Sequence, residues 1–223
     1  MSDSTVGVLY QWPPAARFDR RVPKEKFYKH GSVPPALREK FVAEVQRITW
    51  AYKLAEATIN LAGDAAIPEV QIFHIEAKDD DVSEPVLTAI DKAVRTPIIF
   101  EITRVSDRSV RMAAAHKQAI TSAPKLSKHH TTLWQTAGTE RSPLPTAITL
   151  PALYTALLES LIPVTVRPGE AVSVVSARME AIQKLEREIA TLERKLRTEP
   201  QFNRKVELRR TLKTKQAELE QQR

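Results

Sequence analysis

Glu69-Val-Gln-Ile-Phe-His-Ile-Glu-Ala-Lys78 decides the fold class. Along an extended chain Val70, Ile72 and His74 point one way and Gln71, Phe73 and Ile75 the other. A side-chain period of two, with β-branched residues and apolar character on both faces, predicts a strand interior to a sheet. Asp79-Asp80-Asp81 predicts a turn, and Glu84-Pro85 opens a helix whose Val86, Leu87, Ile90 and Val94 share one face. Thr96-Pro97 stops that helix, and Ile98-Ile99-Phe100-Glu101-Ile102 reads as a second buried strand. After a turn at Ser106-Asp107-Arg108, Val110 to His116 reads as a third. The expectation is an α/β (α+β) core around β-α-β-β, with a small mixed sheet of about four strands and helices packed on it.

Toward the N-terminus, Pro34-Pro35 precede Leu37, Phe41, Val45, Ile48, Tyr52 and Ala55. Steps of three and four predict one helix over 35–61, packed on the sheet. Residues 1–35 look irregular and alternate cations with aromatics, as in Arg17-Phe-Asp-Arg-Arg21 and Lys24-Glu-Lys-Phe-Tyr-Lys29. Such a pattern can clamp a phosphate backbone and stack on bases. The plainer reading is a short helix that docks through Phe27 and Tyr28 with its lysines in water.

Toward the C-terminus, Ile120 to Lys128 reads as a loop and His129 to Gln135 as a fourth strand. Neighbouring strand residues face opposite sides, so His129 and His130 do not suit a single metal ion, and no metal site is expected. Thr149 is a candidate N-cap for a helix with Leu153, Leu157, Leu158 and Leu161 on its apolar face. Pro163 to Gly169 is the candidate domain boundary, giving a core domain over 36–163 and a C-terminal segment over 170–223. In that segment Ile182, Leu185, Ile189, Leu192 and Leu196 step by three and four between mixed charges, the pattern of a coiled-coil seam. Thr198-Glu199-Pro200-Gln201 predicts a break followed by a second, basic helix carrying Val206, Leu208, Leu212 and Leu219. A self-contained hairpin and an intermolecular coiled coil both satisfy the pattern.

With 223 residues the chain can bury one sizeable domain plus an appendage. It has no cysteine, which removes disulfides and thiolate metal sites and fits a reducing cytoplasm. No apolar run reaches the roughly 18–20 residues a bilayer requires, and the polar Met1-Ser-Asp-Ser start does not resemble a signal peptide, so a cytoplasmic location off the membrane is expected. The net charge of +7 is segregated: residues 1–53 carry ten Lys and Arg against five Asp and Glu, whereas residues 54–103 carry three against ten. The acidic middle argues against a uniform nucleic-acid footprint and leaves room for a local basic patch.

Three constellations can carry chemistry. Glu76-x-Lys78 at a strand end, with Glu101 on the next strand, resembles the arrangement of metal-dependent nucleases, where carboxylates hold Mg²⁺ and the lysine positions water. His116-Lys117 with His74 is a second, and the Asp79–Asp81 turn a third. No P-loop, G-x-G-x-x-G, H-E-x-x-H or G-x-S-x-G occurs, which weakens the ATPase, dinucleotide, zinc-protease and hydrolase readings.

Several blocks carry a resemblance: Lys24-Glu-Lys-Phe-Tyr28, Ile48-Thr-Trp-Ala-Tyr-Lys-Leu54, Val70 to Lys78, Ile90-Asp-Lys-Ala93, Pro97-Ile-Ile-Phe100, Ala114-Ala-His-Lys117 and above all Gln201-Phe-Asn-Arg-Lys-Val-Glu-Leu208. Together they resemble an uncharacterised bacterial and archaeal domain-of-unknown-function family of similar length. The chain departs from the pattern at His116 and Arg209. Members are often encoded beside a helicase and a DNA methyltransferase in restriction-like or phage-defence loci. The resemblance therefore implies an accessory subunit and carries over no catalytic residues.

The favoured expectation is a non-enzymatic interaction subunit without a cofactor. It would assemble with a helicase or DNA methyltransferase, or with a second copy, through Ile182, Leu185, Ile189, Leu192, Leu196 and Leu212. The alternative is a nuclease using Glu76, Lys78 and Glu101 with Mg²⁺. A third reading is nucleic-acid contact through Lys24, Lys26, Lys29, Lys125 and Lys128.

Overall fold

A computed structural model describes residues 8–29, 33–118, 125–161 and 172–222. The chain divides into two units, residues 1–163 and 164–223. The boundary expected at Pro163 to Gly169 lies outside the described residues, as does most of the loop expected from Ile120 to Lys128.

The first unit is built on a mixed sheet of six strands where about four were expected. Their spatial order is β1 (Arg17–Arg21), β2 (Val45–Ala55), β3 (Glu69–Ala77), β4 (Ile98–Arg104), β5 (Val110–Ala114) and β8 (His130–Thr131). Only β3 and β4 are parallel, joined by α4 (Glu84–Ala93), and every other pair is antiparallel. The short strands β6 (Lys117–Gln118) and β7 (Lys125–Leu126) pair apart from this sheet.

Alternation along β3 and β4 gives the sheet two buried faces. Phe73, Ile75, Phe100 and Ile102 join Phe27 of α1 (Glu25–Lys29), Phe41 of α2 (Pro35–Glu44) and Val86, Leu87 and Ile90 of α4 in one core. Val70, Ile72, Ile99, Met112 and Ala114 are buried on the other side, where residues 8–16 lie and where α5 (Leu150–Glu159) packs on β3. Thr149 caps α5 as expected, its Oγ1 accepting from Ala152 N at 3.3 Å.

The helix expected over 35–61 is corrected: it ends at Glu44, and an 11-residue strand follows at once. A short helix, α3 (Glu56–Ile59), closes that segment. The cause of the misleading period is a pair of β-bulges. Val45 pairs with Ala77 and Arg47 with Glu76, leaving Gln46 extra; Trp50 pairs with Phe73 and Tyr52 with Ile72, leaving Ala51 extra. The first bulge puts Val45 and Ile48, three apart, in the same core, and after the second Leu54 registers opposite Val70 on the other face, so the buried positions Val45, Ile48, Ala51 and Leu54 fall three apart. A spacing of three imitates a helical stripe, while the β-branched and aromatic run Ile48-Thr-Trp-Ala-Tyr52 carries the true preference.

Two further expectations change. Residues 1–35 are not irregular throughout, because β1 forms the sheet edge and Phe18 packs tilted against Trp50 with ring centroids 4.1 Å apart. The fourth strand over His129 to Gln135 shrinks to two residues, His130 and Thr131, with a separate bridge between Gln135 and Val110.

The second unit is a helical hairpin of α6 (Val172–Thr198) and α7 (Phe202–Gln222), which pack against one another. Arg178 donates to the Gln222 carbonyl at 3.1 Å and Lys215 lies 3.4 Å from Glu188, which sets an antiparallel register. At the break, the Glu199 side chain accepts from Gln201 N at 3.1 Å, just ahead of α7. No helix among the described residues is long and apolar enough to cross a membrane.

Candidate functional site

Glu101 sits in the middle of β4, 3% exposed, and is the most heavily coordinated carboxylate of the sheet. Arg141, from the loop before α5, donates through Nη1 to Oε1 at 2.8 Å and through Nη2 to Oε2 at 3.0 Å. Trp12 Nε1 donates to Oε1 at 2.6 Å, and His74 Nε2 stands 3.1 Å from Oε2 in an ion-pair rather than an aligned hydrogen-bond geometry. Burial by itself would raise the Glu101 pKa; its His74 and Arg141 contacts outweigh that and hold it at about 2. The second function of Arg141 is to hold the N-terminal segment, since Nη1 also donates to the Tyr10 carbonyl at 2.7 Å.

The three residues of the nuclease reading are thereby placed. Glu76 and Glu101 share a sheet face, because His74 pairs with Glu101 and Glu76 with Thr103. Glu101 has both oxygens engaged, Glu76 is bound by the Arg47 guanidinium, and Lys78 Nζ donates to the Val42 carbonyl at 2.6 Å. These residues do not present two free carboxylates to one exposed point. Among the described residues no group of three or more His, Cys, Asp or Glu is arranged to hold a metal ion.

His116-Lys117 does not meet His74. Lys117 instead runs under α4, where its ammonium donates to the carbonyls of Asp91, Val94 and Thr96 at 2.7, 2.8 and 3.0 Å and pairs with the Asp91 carboxylate. It satisfies the carbonyls that the end of α4 leaves open. His129, fully buried, bridges Glu84 at 2.9 Å and Asp91 at 3.2 Å. Burial opposes its charge, but the two carboxylates prevail and raise its pKa. His129, Asp91 and Lys117 form a buried network that reaches the half-buried Glu84 at its edge, and it reads as architecture. The acidic turn is tied down as well, with Asp81 2.7 Å from Arg111.

The expected nucleic-acid lysines divide. Lys26 and Lys128 are exposed, whereas the side chains of Lys29 and Lys125 lie outside the described residues. Lys24 lines a groove of about 470 Å³ with Arg21, Glu25, Gln46 and Arg47. Lys24 Nζ donates to the carbonyls of Phe41 and Val45, so it is partly a cap for α2. The aromatics of this region are not offered to bases: Phe18 lies on Trp50, and Phe27 stacks on Phe41 at 6.3 Å.

In the hairpin, Ile182 and Leu219 are buried, while Leu185, Ile189, Leu192, Leu196, Leu208 and Leu212 are only half-buried. Val206 is 50% exposed. Two helices alone cover one side of such a stripe.

Residues 11–219 match the family model described as Domain of unknown function (DUF4391). The chain belongs to that family. No curated protein and no solved structure gives a match. The DUF4391 match spans both units, from the residue before Trp12 to the last buried leucine of the hairpin. Within this DUF4391 chain, sequence reasoning missed Trp12, Arg141, Asp91 and His129 as partners. Arg141 lies 40 residues from Glu101 and Trp12 lies 89, and no local pattern signals pairings of that range.

Proposed function

We propose that this DUF4391 protein is a non-enzymatic interaction subunit whose α6–α7 hairpin is the assembly arm. The observation that carries the reading is the half-buried apolar stripe Leu185, Ile189, Leu192, Leu196 and Leu212. Completing such a seam takes helices from another chain. The buried polar groups support the same reading, since the Glu101 cluster and the Asp91 network spend their hydrogen bonds on one another. The partners that the family resemblance implies are a helicase or DNA methyltransferase of a restriction-like or phage-defence system. Co-purification from the native host tests this, comparing the tagged chain with Ile189→Glu/Leu192→Glu. Recovery of such a partner with the parent, and its loss with the variant, supports the proposal. A parent that purifies alone and monomeric overturns it.

A further inference from the structure

We propose that the groove between the end of β1 and the start of β2 is a sequence-independent seat for a phosphodiester backbone. Its cationic lining comes from Arg21, Lys24 and Arg47, with Lys78 anchored beside it on the Val42 carbonyl. The β2 bulge creates the place: the register slip between Val45 and Arg47 sets Gln46 and Arg47 on the groove wall, opposite the turn that leads from β1 into α1. Against these cations stand Glu25 on the wall and Glu76, which holds Arg47.

A purely structural account covers the lysines. Lys24 and Lys78 donate to carbonyls at the C-terminal end of α2, where cations are favoured. It covers Arg47 as well, which Glu76 holds, but it does not account for Arg21, exposed at the end of β1. The cations repel one another: burial first and then Lys78 lower the Lys24 pKa, Glu25 raises it, and Arg21 adds a smaller lowering. An anion lying between them relieves that repulsion.

The chemistry selects phosphate over base. A volume of about 470 Å³ accommodates a phosphate with its flanking sugars. The nearby Phe18 and Phe27 rings are already packed on Trp50 and Phe41, so neither is offered to stack on a base. Arg20 continues the positive charge along β1, the outer strand of the sheet, as a chain carrying one charge per nucleotide requires, while Arg17 at the far end is paired with Asp19 at 3.0 Å. An isolated anion needs no such extension.

The test uses the full chain and fluorescein-labelled 20-nucleotide single-stranded and 20-base-pair duplex DNA in fluorescence anisotropy, from about 30 to 300 mM salt, a range in which phosphate contacts dominate the affinity. The parent is expected to bind, and Arg21→Gln/Arg47→Gln to flatten the log K against log salt slope by about one per cation removed. Glu76→Gln, which frees Arg47, is expected to tighten binding, a change in the opposite direction that misfolding cannot produce. Arg209→Gln/Arg210→Gln/Lys213→Gln on the hairpin serves as the control and is expected to leave the slope intact. No binding at 30 mM salt, a slope governed by the hairpin variant, or equal competition by inorganic phosphate or poly-glutamate at matched charge overturns the proposal.

Discussion

Arg141 grips Glu101 with both terminal nitrogens, at 2.8 and 3.0 Å, from a loop 40 residues further along the chain. One ion pair thus fastens the loop before α5 to the centre of the sheet and, through the Tyr10 carbonyl, the N-terminal segment to both. Arg141→Met leaves a carboxylate that is 3% exposed without its main partner, and a loss of about 3–5 kcal/mol is expected in urea denaturation. Arg141→Met/Glu101→Gln removes the unpaired charge and is expected to recover a substantial part of it.

The same carboxylate gives an acid limb. Its folded pKa of about 2 lies below the usual 4.5, so its contribution, of order 3 kcal/mol, is present above pH 4.5 and fades as pH falls toward 2. Denaturation midpoints across that range are expected to fall for the parent and to show a shallower limb in Glu101→Gln.

His129 works in the other direction. Its pKa is raised above 6.5, so the stability it supplies is complete below pH 6.5 and is lost as pH climbs through the folded value. His129→Gln is expected to remove this alkaline slope. The direct check is the His129 ring titration by NMR, where a midpoint at or below 6.5 would contradict the charged bridge between Glu84 and Asp91.

Lys117 is both a charge partner and a cap for α4. Lys117→Met is expected to cost about 3–5 kcal/mol, because Asp91 is left charged and buried. Lys117→Met/Asp91→Asn is expected to cost less than the single change, a non-additivity that a double-mutant cycle measures.

The hairpin is expected to melt on its own terms. Ile182→Asp/Leu219→Asp removes two buried seam residues and is expected to lower helical circular dichroism while leaving the tryptophan fluorescence transition in place. That transition reports only the sheet unit, since Trp12, Trp50 and Trp134 all precede residue 164.

The sequence by itself determined the elements whose neighbours in space are neighbours in the chain. The strand from Glu69, the helix opened by Glu84-Pro85 and the strand from Ile98 were legible because alternation, proline placement and a helical stripe are local signals. The break near Pro200 and the two apolar stripes of the hairpin were legible for the same reason. β2 was not, because its bulges are set by how it registers on β3, and they turned a period of two into a spacing of three.

The sites were decided by the tertiary structure. Glu101 was picked out as a candidate metal ligand, yet only the fold brings Arg141 and Trp12 to it and converts a reactive-looking carboxylate into a clasp. Lys117 stood out as chemistry beside His116, and packing under α4 made it, with His129, a counter-charge to Asp91. Burial forces each polar group to find a partner wherever the chain has been folded back, and that search is blind to sequence distance.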